Sequence, residues 1–293
     1  MTWSIGDMFV SRIEEGLGLS SVSPDKFLTN FDIDVFRSHA DWLVPLHYDP
    51  EEDRLVSSIH SWLIRTPRHT ILLDTCSGNH KDRPWNERFH QLNTPYLERL
   101  RAVGVSPEEV DYVFCTHLHS DHCGWNTRLE NGRWVPTFPN AKYLFSRAEK
   151  NRWDPAVSAD NSRAVLYNDS VLPIIESRQA VLLDDAFEMD RHLLVEPAPG
   201  HTVGHMILKA GTGDDRGLFC GDAIHHPIQI CEPTWNTRFC EDQEQSARTR
   251  RELLEYCVEH RALLFPMHFA PPFVAGVFAR GDRLFPAFVP PRK

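Results

Sequence analysis

Thr116-His117-Leu118-His119-Ser120-Asp121-His122 is the stretch whose reading decides the fold. It follows Asp111–Cys115, a short apolar run that reads as a buried strand. Four side chains able to hold a metal ion sit almost side by side. In an extended segment, alternate residues point to the same side. His117 and His119 can therefore share one ion while Asp121 and His122 face a neighbouring one. Imidazole and carboxylate suit zinc, iron, manganese or cobalt, and a carboxylate can bridge two ions. A loop of solvated histidines is the bland alternative, and the dense spacing argues against it.

Four further positions extend the pattern, each expected at the end of a strand. Asp74 closes Ile71-Leu72-Leu73, and His201 lies in the glycine-flanked turn Pro199-Gly200-His201-Thr202-Val203-Gly204-His205. Asp222 follows Leu218-Phe219-Cys220, and His268 follows the strand ending at Phe265. His201 or His268 alone would be a weak signal. His205 is expected to fix its loop rather than bind an ion. Cys115, Cys123 and Cys220 lie near these positions but are read as small buried hydrophobes.

Outward from these residues, strand and helix signals alternate in two similar halves, each ending at histidines, which is a mixed α/β layered pattern. Strands are expected at 6–13, 54–65, 69–74, 141–145, 180–183, 192–196, 204–210, 217–220 and 262–265. A hairpin is expected around Asn131-Gly132 within 127–140. Helices are expected near 94–103, from the capping sequence Ser106-Pro107-Glu108-Glu109, and over 244–260. Residues 146–178 read as mostly helical, broken near Pro155 and Pro173. Residues 20–50, with Pro24, Pro45 and Pro50, read as an irregular arm. No repeat or Gly/Ser linker appears, so one domain is expected over 1–293: an N-terminal strand and arm (1–50) and a core (51–293).

Composition narrows the partners. The 293 residues are 41% hydrophobic and 25% charged, enough for a sizeable core. A formal net charge of -10 argues against nucleic acid and against anionic membrane. The seven cysteines form no C-x-x-C pair, which fits a reducing cytoplasm better than a disulfide framework. Met1 to Glu15 has no basic segment leading into an apolar one, so no signal peptide is expected. No apolar run reaches the ~18 residues of a membrane helix.

With Asp74, the histidine run, His201, Asp222 and His268 in this order, the chain resembles the metallo-β-lactamase superfamily. The resemblance runs from about Asp74 to His268. It implies an αββα four-layer sandwich, here with an N-terminal arm, and two divalent metal ions at one edge of the sheets. Zinc is the first expectation, with manganese, cobalt or iron as alternatives. By the resemblance His117, His119 and His201 hold the first ion. Asp121, His122 and His268 hold the second, Asp222 bridges them, and Asp74 orients ligands by hydrogen bonds.

The implied reaction is attack by a metal-bridging hydroxide, with Asp121 or Asp222 carrying the proton. A bridging aspartate resembles the lactonase, phosphotriesterase, glyoxalase II and nuclease branches more than the β-lactamases proper. The short stretch after His268 disfavours glyoxalase II, and the acidic balance disfavours the nucleases. Gly221 to Gln229 is similar to the quorum-quenching lactonase and methyl parathion hydrolase branch. There His225, three residues after the bridging aspartate, either stabilises an oxyanion or lines the pocket, or else packs beneath the site with His226. Trp235 and Phe239, with Trp125, Trp134 and Phe138, are candidates for an apolar lip. The expected activity is opening of a small lactone. The alternatives are phosphotriester hydrolysis, amide or β-lactam hydrolysis, a mononuclear iron dioxygenase and a non-catalytic binding module. The partners are a small-molecule substrate and, through the arm, a second copy of the chain as a homodimer.

Overall fold

Short runs of buried apolar residues build the strands that lead into the candidate ligands, and parallel pairs align their ends. The computed structural model describes residues 1–156 and 161–292. The part of the helical expectation that falls on 157–160 lies outside the described residues. In chain order the strands are β1 (Thr2–Ile5), β2 (Met8–Leu19), β3 (Tyr48–Asp49), β4 (Arg54–Arg65), β5 (Thr70–Leu73) and β6 (Tyr112–Phe114). Then come β7 (Thr127–Glu130), β8 (Arg133–Pro136), β9 (Lys142–Ser146), β10 (Ala180–Leu183), β11 (Phe187–Asp190) and β12 (Leu193–Pro197). The last are β13 (Met206–Thr212), β14 (Asp215–Phe219), β15 (Leu263–Phe265), β16 (Ala275–Arg280) and β17 (Arg283–Phe288). The chain forms two compact units: Met1–Gly16 with Ile59–Phe187, and Leu17–Ser58 with Glu188–Lys293.

The first unit carries strands in the order β1-β2-β4-β5-β6-β9-β10. Its β5 and β6 pair in parallel with Leu73 opposite Phe114. Asp74 and the histidine run therefore leave the sheet at the same carboxyl edge, where open α/β sheets place their ligands. Leu72, Val113, Tyr143 and Phe145 are buried with the helix Tyr96–Ala102 residues Tyr96 and Leu100 in one apolar cluster. Each fully buried large apolar side chain contributes about 1.5–3 kcal/mol. The hairpin β7–β8 turns at Asn131 and Gly132, both with positive φ, as an Asn-Gly turn requires.

The second unit carries a seven-stranded sheet in the order β11 to β17. Parallel β14 and β15 set Phe219 opposite Phe265, with the rings stacked at 4.6 Å. Asp222 and His268 each follow that pair by three residues, so they too share one strand edge. The helix Gln243–His260 buries Leu253, Leu254 and Cys257 against this sheet's cluster. Its Asp242 cap accepts from Gln245 N.

Two readings are corrected, and a third gains a detail. The arm is not irregular throughout: short helices form at Pro24–Phe27, Ile33–Arg37 and Ala40–Leu43, followed by β3. Asp32 caps the second of them, accepting from Asp34 N and Val35 N, and Pro24 opens the first at its N-terminus. The Ser106 capping box closes only the single 3-10 turn Pro107–Glu109. The helical stretch before β10 contains a π turn over Tyr167–Val171. The strands β1, β11, β16 and β17 fall outside the segments expected from the sequence. Among the described residues no helix is long and apolar enough to cross a membrane.

Candidate metal-binding residues

In the first unit the histidine run is held by the carboxylate of Asp74 at its start. Asp74 sits in the left-handed region at φ 54°, a strained conformation for a side-chain-bearing residue. Fully buried, it accepts from Thr116 N at 2.7 Å and Thr116 Oγ1 at 2.9 Å, and meets His122 Nδ1 at 2.9 Å. Burial pushes its pKa up, against the pull of His122 and the two Thr116 bonds. His117 Nδ1 meets Thr116 Oγ1 at 3.1 Å, which leaves Nε2 facing His119 Nδ1 at 2.8 Å. Two imidazole nitrogens this close, in a buried place, have the arrangement of ligands converging on a cation. Asp121 Oδ1 lies 3.8 Å from His122 Nε2.

Two loops of this unit are zipped together behind the run. Thr75 N donates to His122 O, Gly124 N to Cys76 O and Trp125 N to Thr75 O, at 2.7, 2.8 and 2.8 Å. The approach requires glycine, since a Cβ on Gly124 would stand 1.8 Å from Ser77 O. Glu15, buried in β2, clamps the same loops by accepting from Ser77 N, Gly78 N and Trp125 Nε1. Glu149, fully buried on the helix Arg147–Trp153, accepts from Leu118 N at 3.1 Å and Trp153 Nε1 at 3.0 Å. The Trp153 ring stands edge-on to His119 at 5.6 Å.

The second unit gathers its donors around Asp222. Gly221, at φ 50°, turns the chain out of β14 into the 3-10 turn Gly221–Ala223. Asp222 Oδ1 is 3.0 Å from His268 Nε2, while Oδ2 is 3.4 Å from His201 Nε2 and 3.0 Å from His225 Nε2. His268 Nδ1 donates to Ser58 O at 3.0 Å, which fixes the tautomer with Nε2 facing Asp222. His205 meets Ala198 O through Nδ1 at 3.1 Å and accepts from Asp222 N through Nε2 at 3.0 Å. It therefore fixes the turn, as its place in the sequence implied.

Each candidate ligand thus lies within its own unit's cluster: His117, His119, Asp121 and His122 in one, His201, Asp222 and His268 in the other. His225 joins the second cluster, its ring 4.9 Å from that of His201 and stacked at 5.7 Å on that of His268. Burial lowers its pKa, opposed by Asp222. His226 does not join. Its Nε2 donates to His47 O, and burial pushes its pKa down to about 3. Phe239 is 43% exposed and packs on Phe27, which packs on His225. The wider aromatic lip is corrected: Trp125 and Phe138 belong to the first unit's core, and Trp134 lies 3.5 Å from the buried Lys81 ammonium. Cys115 and Cys123 bond to Asn126 and to the carbonyls of Leu118 and His119, as buried thiols rather than donors to a metal. Reading the sequence missed Glu15, Glu149 and Cys240, which lie far along the chain from the ligands they support.

Residues 54–259 match the family described as the metallo-beta-lactamase superfamily. A curated relative, the N-acyl homoserine lactonase AiiB of Agrobacterium fabrum, is 35% identical over 79 residues, 22% of this chain. The chain spans 28% of that relative's length. The crystal structure of AbOPH, titled a hydrolase in the beta lactamase superfamily, superposes with a TM-score of 0.81 at 20% identity, covering 100% of this chain and 98% of that one. AidC, described as a dizinc quorum-quenching lactonase solved with a product, superposes with a TM-score of 0.76 at 17% identity, covering 100% and 97%.

Proposed function

This chain belongs to the metallo-β-lactamase superfamily and has its α/β fold, and on that premise we propose that it is a dimetal hydrolase that opens a small lactone or related ester. Asp222 carries the reading. Its two oxygens face different histidines, His268 and His201, which the family's order of landmarks assigns to different ions. A carboxylate so placed is suited to bridging. We assign His117, His119 and His201 to one ion and Asp121, His122 and His268 to the other. The donors fit such a pair, because imidazoles and carboxylates suit zinc first, with manganese, cobalt or iron as alternatives.

When bound, the two ions would supply a water acidified toward a pKa of ~7 and a Lewis acid for the substrate's carbonyl oxygen. The protein's own groups do the rest. Asp74, Ser58 and Thr116 hold three ligand rings at fixed angles. We assign His225, beside His201 and Asp222, the role of donating a hydrogen bond to the oxygen that gains charge as the carbonyl is attacked. Asp121 or Asp222 carries the proton to the leaving ring oxygen, so that the lactone becomes a hydroxy acid. Phe27 and Phe239 beside His225 offer an apolar wall, which favours an uncharged substrate. The similarity to AiiB and AidC, both described as lactonases, supports the choice of substrate class.

We place the chain in a reducing cytoplasm, where its seven free, buried thiols are stable. We expect a homodimer through the arm, whose Ile33 and Leu46 are exposed apolar side chains. A panel of lactones, esters, phosphotriesters and β-lactams, run on protein of known metal content, tests the function. The highest kcat/KM is expected on a lactone. A higher value on a phosphotriester or a β-lactam would reassign the substrate. One bound iron with oxygen uptake would identify a dioxygenase instead. No turnover of any of them with two ions bound would leave a binding module.

A further inference from the structure

The outer ring nitrogens of the assigned histidine ligands are held by different chemistry. His122 meets a carboxylate of Asp74 at 2.9 Å, His268 the carbonyl of Ser58 at 3.0 Å, and His117 the hydroxyl of Thr116 at 3.1 Å. These oxygen partners are the usual support of a metal-bound imidazole. His201 Nδ1 instead faces the sulfur of Cys240 at 3.6 Å.

That sulfur is itself held in place. Ser246 Oγ donates to it at 3.2 Å, and Thr237 Oγ1 lies 3.5 Å away. Ser246 Oγ in turn accepts from Arg250 Nη2 at 3.1 Å. The Arg250 guanidinium is fully buried and anchored on Ala223 O, Pro233 O and Asn236 Oδ1. The backbone of the same segment grips the His201 turn: Glu241 N donates to His201 O and Asp242 N to Gly200 O, at 2.9 and 3.0 Å. A Cβ on Gly200 would stand 2.4 Å from Ser246 N, so the turn and the helix start are in contact.

We propose that Cys240 is a positioning residue for His201: its sulfur, braced through Ser246 by Arg250, takes the Nδ1–H and keeps the tautomer that offers Nε2 to the metal. Cys240 is not itself a ligand. Sulfur is a longer and weaker hydrogen-bond partner than oxygen, so the ion assigned to His117, His119 and His201 is the one that answers to this thiol. The inference rests on the dimetal reading.

Stepwise metal affinity tests it, with Co2+ and a competing chromophoric chelator, on the wild-type chain, Cys240→Val and Cys240→Ser. Valine matches the thiol's bulk but takes no hydrogen bond. It is expected to weaken one ion by about 10- to 100-fold, the range for loss of a supporting partner, and to alter one Co2+ absorption band. Serine is expected to restore most of that affinity, since its hydroxyl can take the same proton. The kcat should fall with KM little changed. Two ions bound at wild-type affinity in Cys240→Val, with an unchanged Co2+ spectrum, would overturn the inference and leave the dimetal reading standing. Equal weakening of both ions together with a lowered melting temperature would also overturn it, as an effect on the fold. Should valine not fit, Cys240→Ala gives the same readings. A wild-type chain that binds fewer than two ions would refute the dimetal reading, and this inference with it.

Discussion

In the first unit four donors come from six consecutive residues, braced by the buried carboxylates of Asp74 and Glu149. In the second, His201, Asp222 and His268 come from three separate strand ends, braced by the Ser58 carbonyl, the His205 ring and the Cys240 thiol. One half is a local motif on a stiff ionic support. The other is assembled by β-strand register, above all by Phe219 opposite Phe265. The contrast teaches that ligands adjacent in sequence need their loop fixed, whereas ligands far apart need their strands aligned. Damage to the first half should therefore show as lost local order and weakened metal, and damage to the second as lost metal with the fold intact.

The largest expected effect breaks the second half at its centre. Asp222→Ala should lose one ion and about a thousandfold or more in kcat/KM, some 4 kcal/mol of transition-state stabilisation. Metal content per chain and kinetics check this, and unchanged turnover would remove the bridge. Next, Glu149→Ala strands the Leu118 N–H and the Trp153 indole in a buried place. At roughly 1–3 kcal/mol for each unsatisfied group, stability should fall by about 3 kcal/mol, read in denaturant unfolding. A wild-type unfolding midpoint would show that the first half does not depend on this brace.

Asp74→Asn sharpens the comparison. Asparagine can still accept from Thr116 N, but it loses the anionic partner of His122. Metal affinity should drop about 100-fold, the upper end of the range and more than in Cys240→Val, with little change in fold content by circular dichroism. An affinity loss no greater than that of Cys240→Val would mean that the carboxylate and the thiol are equivalent supports. The smallest effect is expected at the rim of the second half. Phe239→Ala removes an apolar surface that is already 43% exposed, so it should raise KM for lactones with long acyl chains by a few-fold, by about 1 kcal/mol of lost burial. Equal KM values for short and long chains in both proteins would take Phe239 out of the substrate's path.

The same contrast explains what could be read from the residues alone. The run His117 to His122 is legible because its donors are neighbours and its strand, β6, is an uninterrupted apolar segment. The second half is legible only through the family's order of landmarks, because a single histidine such as His268 has no local signature. The strands β4, β5, β9 and β13 follow simple apolar patterns and were expected close to where they lie. The arm's three helices span only four or five residues each, too short for a periodic pattern, and are held by local caps such as Asp32. The supports were hidden for another reason. Glu15, Glu149 and Cys240 act through tertiary contacts spanning from 31 to 110 positions along the chain.

The central claim is that both halves serve one pair of ions, and metal stoichiometry tests it most directly. The wild-type chain would be loaded with Zn2+, freed of loose metal and assayed for ions per chain beside His119→Ala, from the first half, and His268→Ala, from the second. The account predicts two ions for the wild type, and about one tightly held ion for each variant. One ion in the wild type, or two tightly held ions in both variants, would contradict it.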